Sequence, residues 1–181
     1  MKRTLLAIVS LLVLSNAHGQ IFAGLDQVIC GSDSVTLGAE VGYLNGTALS
    51  LTDDQYSGVI NLGFSFNYFG TSYDKILFSS NNYITFDTIN AGGFSNWSIT
   101  GPAPTLGNTP QNAILSPWQD INPAIVGPGV NGVLYGTYGP PGQRVFVAAF
   151  CEVPMFSCTT LLFSSQVKLF EADNHIEMHI Q

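Results

Sequence analysis

The sequence predicts an all-β protein: an antiparallel β-sandwich with a long loop between central strands, preceded by a signal peptide. Apolar residues alternate with small or polar ones over short runs, which is the pattern of half-buried strands, and turn-forming residues separate these runs. Aromatic residues make up 12% of the chain and charged residues only 9%. This composition is typical of a folded β-protein and not of a disordered chain.

The clearest strand pattern runs from Leu62 to Phe86. It predicts three consecutive strands that are joined by turns at Phe69–Ser72 and Ser79–Asn82, where Gly, Ser and Asn favour reversal of the chain. The next stretch, from Asp87 to Asn112, is rich in Gly, Pro, Ser and Asn with isolated apolar residues. It predicts a long loop, and loops of this length in a compact domain are usually functional or mobile.

Three further strands are predicted after this loop. The apolar stretch Ala113–Trp118 is interrupted by Pro117, which cannot donate to a ladder and so indicates a sheet edge or a strand end. Trp118 is expected to close the core. Gly132–Tyr138 and Gln143–Val153 predict a hairpin whose second strand is apolar on both faces, as expected for a strand inside the protein.

The last predicted hairpin joins residues 161–171 to residues 175–180. The residues predicted to point inward are Ile176, Met178 and Ile180. The residues predicted to point outward are His175, Glu177 and His179. The two histidines would lie about 13 Å apart on a regular strand, which is too far for both to bind one zinc ion. We therefore interpret this row as a solvated outer face.

The N-terminus predicts export. Residues 1–19 have a basic start, an apolar run and a small-residue end, which is the pattern of a secretory signal peptide. Residues 20–54 are predicted as an N-terminal hairpin and polar linker, and residues 55–181 as the sandwich. Because the chain stops inside a predicted strand, we expect the sandwich to be truncated at its C-terminal end.

The charge balance excludes some partners. The full chain carries a net charge of −7, and removal of Lys2 and Arg3 with the signal peptide leaves three cationic residues against twelve carboxylates, or −9. No basic patch is available to bind phosphates, so nucleic acid is not an expected partner. Insertion into a membrane after signal removal is not expected either.

Three segments resemble the nidogen-like extracellular domain of secreted and surface proteins of Bacteroidetes. They are LGFSFNYFGTSYDKILFSSNNYITF, NAILSPWQDINP and RVFVAAFCEVP, in that order. The resemblance implies a cell-surface β-sandwich associated with gliding motility and type IX secretion, although no sorting domain is present in this sequence. It implies no catalytic residues, because that family shares none.

Two aromatic residues of the long loop, Phe94 and Trp97, are the candidate ligand-binding residues. Exposed aromatics stack on sugars or fill a pocket of a partner protein. The favoured interpretation is that both fold back and cap one end of the sandwich, since large aromatics are usually well buried.

No cofactor is expected apart from a structural calcium ion, for which Asp120 and Asn122 are the candidate oxygen ligands. Asp53 and Asp54 form a second acidic pair. Neighbouring carboxylates on an extended chain point in opposite directions, so we interpret this pair as a solvated turn.

The three cysteines all lie in the predicted exported part, where disulfides form. Cys151 and Cys158 are the candidate pair because a proline-containing turn separates them. Pairing of Cys30 with either of the others stays open.

The sequence predicts a non-catalytic module for adhesion or extracellular assembly, which is secreted or held at the cell surface. No Gly-x-Ser-x-Gly, His-Glu-x-x-His or phosphate-binding loop is present. Paired glycosidase carboxylates stay open as a catalytic alternative. The alternative function is a carbohydrate-binding module in which Phe94, Trp97 and Trp118 stack on sugars. The partner is then an extracellular protein or a glycan.

Overall fold

A computed structural model describes residues 46–103, 105, 107, 109–126 and 132–181. The predicted signal peptide and N-terminal hairpin, together with Cys30, lie outside the described residues. The described chain forms two antiparallel sheets that pack as a sandwich, which confirms the predicted fold class. Within these ranges, no helix has the length and apolar character needed to cross a bilayer.

The four-stranded sheet has the order β2-β3-β4-β5. Its strands are β2 (Ile60–Tyr68), β3 (Thr71–Ser79), β4 (Tyr83–Thr85) and β5 (Ala113–Leu115). The first three form the predicted meander, with turns at the two predicted positions. β5 lies at the edge of the sheet, as Pro117 indicates. The long loop joins β4 to β5.

The five-stranded sheet has the order β1-β6-β7-β8-β9. Its strands are β1 (Thr47–Leu49), β6 (Gly132–Tyr138), β7 (Val145–Pro154), β8 (Leu162–Phe170) and β9 (Ile176–Ile180). The two predicted hairpins are therefore present. β1 falls within the stretch predicted as a linker, yet it pairs with β6. A short 3₁₀ helix, Pro123–Ile125, precedes β6.

The core lies between the two sheets. Alternate residues of β2 are buried, and the fully buried Phe78 of β3 meets three aromatic rings of the opposite sheet. Those rings belong to Tyr135, Phe146 and Phe150, with centroids 5.8–6.5 Å from that of Phe78. Contact between β3 and the β6–β7 hairpin thus holds the sheets face to face, mainly through apolar burial.

A polar clamp also joins the sheets. Glu171, after β8, accepts hydrogen bonds on Oε2 from the backbone nitrogens of Gly142 and Arg144 and from Arg144 Nε, at 2.7–3.0 Å. Arg144 in turn donates from Nη1 to the carbonyl oxygen of Gly63 in β2 and lies over the ring of Phe64. Gly63 has a φ of +84° at an irregularity in the β2–β3 register, a conformation that glycine adopts without strain.

The central strand β7 is buried on both faces, as predicted. Its inner residues Phe146, Ala148 and Phe150 belong to the main core, while Ala149 and Cys151 are buried on the other face. Cys158 lies beyond the strand as an exposed free thiol. Since Cys158 is a free thiol on an exposed turn and Cys151 is buried in the strand, the predicted Cys151–Cys158 bridge is not formed.

The predicted burial on the last strand is only partly correct. Ile176 packs against the core, but Met178 and Ile180 are exposed. By register both face the same side as the inner residues of β8, so they remain uncovered because β9 is at the edge of the wider sheet. On the other face Glu177 accepts a hydrogen bond from Lys168 and approaches both histidines. That row is not uniformly solvated, since only 9% of the His179 side chain is exposed.

Candidate functional site

The candidate site lies at the end of the sandwich where the long loop leaves β4. The short segment Asp54–Ser57 is held between the end of β3 and the start of the loop. The backbone nitrogens of Tyr56 and Ser95 donate to the carbonyl oxygens of Gly93 and Asp54, at 2.9 and 2.8 Å. These bonds fix the backbone next to Phe94, although the sequence around it predicts an irregular loop.

Phe94 and Trp97 are exposed on this fixed backbone. Phe94 is 68% exposed and Trp97 47%. The interpretation that both fold back to cap the sandwich is therefore wrong. The capping role belongs to Trp118, which is buried against the ring of Tyr83 and donates from Nε1 to the carbonyl oxygen of Asn96. Its burial removes Trp118 as a platform for sugar stacking and confirms its predicted place in the interior.

A cleft of about 230 Å³ opens beside Phe94. Its walls are the start and the end of the long loop, and its floor is formed by strand β4 and Tyr56. The lining residues are Tyr56, Tyr83, Thr85, Asp87, Asn90, Phe94, Asn96, Gly107, Thr109, Pro110 and Gln111. The lining therefore combines an exposed aromatic ring with several amide and hydroxyl groups.

Hydrogen bonds within the protein order the floor of the cleft. The hydroxyl groups of Tyr56 and Tyr83 lie 2.5 Å apart, and that of Tyr83 also meets Ser95 Oγ at 3.0 Å. Burial and the neighbouring Tyr83 raise the pKa of Tyr56 well above its usual value. Tyr56 therefore stays protonated at neutral pH and is a hydrogen-bonding group there, not a base.

An acidic cluster lies beside the same segment. Oxygen atoms of Asp53, Asp54 and Asp120 all lie within 4.8 Å of one another. Two of these residues are adjacent, and the interpretation that their side chains diverge is wrong. It assumed an extended chain, whereas Asp54 has a φ of +50° in a turn, which brings both carboxylates to one side.

The predicted partner of Asp120 has another role. Asn122 begins the 3₁₀ helix, and its Oδ1 accepts a hydrogen bond from the backbone nitrogen of Ala124 at 3.0 Å. Asp120 is grouped instead with two residues from a distant part of the sequence. Spacing along the chain gave no signal for this contact, because it forms only when the Thr52–Gln55 turn packs against the segment before Ile121.

Fold and site together define an antiparallel β-sandwich module whose β4–β5 loop carries exposed aromatic residues beside a cleft. A family model described as NIDO related matches residues 38–181, and the chain belongs to this family. The match supports the nidogen-like resemblance of the sequence and includes β1, ahead of the predicted domain start. No curated protein and no solved structure matches the chain.

Proposed function

We propose that this chain is a non-catalytic extracellular module that mediates adhesion or surface assembly through its β4–β5 loop. The observation that carries the proposal is the exposure of four large apolar side chains in one part of that loop. They are Ile89 at 83%, Phe94 at 68%, Trp97 at 47% and Ile99 at 59%. Apolar side chains concentrated on the surface are typical of contact sites.

The position of these residues suits recognition. Aromatic residues are the commonest anchors at protein interfaces, where each contributes a large apolar area. Because hydrogen bonds to Asp54 and Tyr56 already fix the backbone beside Phe94, binding requires less ordering of that segment. Membership of the NIDO-related family and the predicted signal peptide support an extracellular location, secreted or at the cell surface.

The composition of the cleft supports a binding role without catalysis. Asp87 is the one carboxylate among its lining residues, and the described lining contains no histidine, lysine or cysteine. A glycosidase needs two carboxylates across the scissile bond, and nucleophilic catalysis needs a base beside the nucleophile.

Carbohydrate binding is the second candidate function, and the same cleft favours it. Sugar recognition combines an aromatic face for the C–H groups of the ring with planar amides or carboxylates for the hydroxyl groups. Phe94 supplies such a face, and Asp87 and Asn90 supply polar groups. The ligand would then be a glycan on a surface or matrix.

The test is a binding screen of the purified chain against cell surfaces, a panel of immobilised matrix proteins and a glycan array. Phe94→Ala and Trp97→Ala are compared with Phe69→Ala, which removes an aromatic side chain 92% exposed on the β2–β3 turn. If the loop is the contact surface, each loop variant loses about 30-fold in affinity or more, the effect of an interface hot spot. The control should bind like the unmodified chain.

Each outcome decides between the candidates. Loss of cell or matrix-protein binding in the loop variants, with no signal on the glycan array, supports adhesion through protein. Glycan binding that is lost in the same variants supports the carbohydrate-binding function instead of adhesion through protein. Binding that all three variants retain excludes the loop as the contact surface. Melting temperatures should change by no more than about 2 °C, because these side chains are exposed.

A further inference from the structure

The acidic cluster has the geometry of a cation site. Oxygens of Asp53, Asp54 and Asp120 lie within 4.8 Å of one another. Calcium binds oxygen ligands at 2.3–2.6 Å, so two oxygens that share one ion can be separated by at most about 5 Å. All three carboxylates therefore satisfy the distance limit for a shared ion.

A buried amide beside the cluster lacks an acceptor partner. Asn81 is fully buried, and its Nδ2 donates to Asp54 Oδ1 at 3.1 Å and to the carbonyl oxygen of Ser95 at 3.0 Å. Its Oδ1 has no hydrogen-bond partner. The bond from Nδ2 to Asp54 places the Asn81 side chain directly beside the cluster. A buried carbonyl oxygen without a donor is costly, and a cation would supply its missing partner.

The carboxylates themselves also lack compensation. Asp53 Oδ1 is enclosed and accepts no hydrogen bond. Within the described part of the chain, no lysine, arginine or histidine forms an ion pair with any of the three aspartates. Three negative charges thus share a partly buried space and repel one another.

We propose that Asp53, Asp54 and Asp120, with Asn81 Oδ1, bind one calcium ion. The ligand set is made of oxygen atoms only, which suits a hard cation such as calcium and not zinc, which favours nitrogen and sulfur. Carboxylates that bind through one or two oxygens, the Asn81 oxygen and water molecules together reach the six to eight ligands that calcium takes.

The site would connect three loops that are distant in sequence. Asp53 and Asp54 lie in the turn before Gln55, Asn81 lies in the β3–β4 turn, and Asp120 precedes the bridge from Ile121 to Met155. Calcium would stabilise this end of the sandwich by holding the loops together. Asp54 and Asn81 both hydrogen-bond to the backbone of Ser95, so the ion would also restrict the motion of the segment that contains Phe94.

The test measures thermal unfolding and calorimetric binding of the full chain after metal removal. With an affinity of about 0.1–1 mM, the range of extracellular calcium modules, 5 mM calcium chloride should raise the melting temperature by about 3–8 °C relative to EDTA. Magnesium chloride at the same concentration should have a smaller effect, since magnesium gives up its water ligands reluctantly. The absence of any calcium-dependent shift or binding heat overturns the proposal.

Asp120→Asn is the informative variant. It should weaken calcium binding at least 10-fold and abolish the shift, yet in EDTA it should be as stable as the unmodified chain or more so, because one of three repelling charges is gone. Asp74→Asn, at an exposed position on β3, is the matched control and should keep the full shift. A variant Asp120→Asn that keeps the full calcium-dependent shift shows that Asp120 is not a calcium ligand.

Discussion

Asn82 offers the sharpest test of how the two sheets are joined. It is fully buried in the β3–β4 turn, with a φ of +61°. Its Nδ2 donates to the carbonyl oxygen of Pro117 at 2.9 Å, and its Oδ1 accepts from Ser165 Oγ in β8 at 2.6 Å. One side chain therefore connects the four-stranded sheet, the segment after β5 and the five-stranded sheet.

Asn82→Gly removes both hydrogen bonds while it keeps the backbone conformation accessible. A buried hydrogen bond contributes about 1 kcal/mol, and a buried group left without its partner costs about 1–3 kcal/mol. Since Ser165 is also fully buried, we expect a loss of about 2–4 kcal/mol in the free energy of unfolding. Asn82→Ala should cost about 1 kcal/mol more than Asn82→Gly, because alanine is strained at positive φ.

The measurement is equilibrium unfolding in urea followed by tryptophan fluorescence, to which the buried Trp118 contributes. For an m-value of about 2 kcal/mol/M the midpoint should fall by about 1–2 M in Asn82→Gly. Asn112→Gly is the control, because Asn112 has a φ of +47° but an exposed side chain. If both glycine variants lose less than about 0.5 kcal/mol, the bonds of Asn82 do not hold the sheets together.

Two further predictions concern the clamp and the free thiol. The hydrogen bonds from Arg144 lower the pKa of Glu171 to about 2, so the stability that they confer is present above pH 4.5 and is lost as the pH falls toward 2. In Glu171→Gln the free energy of unfolding should therefore depend less on pH in that window. An unchanged pH dependence would show that the Glu171–Arg144 bonds do not stabilise the fold. Cys158 should react with a maleimide in the folded protein, and Cys158→Ser should abolish that labelling with a melting temperature changed by no more than about 2 °C. Protection of Cys158 without denaturant would show that it is not a free surface thiol.

The strands were predictable because their signal is local. In the meander from β2 to β4, alternation of apolar and polar residues places Phe64 and Phe66 on the buried face, and Gly70 and Asn82 occupy turn positions with positive φ. Each of these features depends on neighbouring residues alone. The two hairpins of the five-stranded sheet follow in the same way.

The pattern failed where burial depends on what covers a residue. Met178 and Ile180 alternate as an inward-facing pair should, but they are exposed on β9, the edge strand of the five-stranded sheet. Phe94 and Trp97 are exposed for a related reason. The loop is hydrogen-bonded to the Asp54–Ser57 segment through backbone atoms, and the two aromatic side chains are left uncovered. Alternation of apolar and polar residues predicts which face of a strand a residue lies on, but not whether another part of the protein covers that face.

The sequence alone predicts an all-β chain, most of its strands and the long loop between β4 and β5. The residues that meet beside that loop come together only through tertiary contacts. Asp53 and Asp54 lie 66 or more positions before Asp120, and their contact arises from the packing of two turns at one end of the sandwich. Strand patterns come from short-range alternation of side chains, whereas a site assembled from loops depends on long-range contacts that local sequence does not encode.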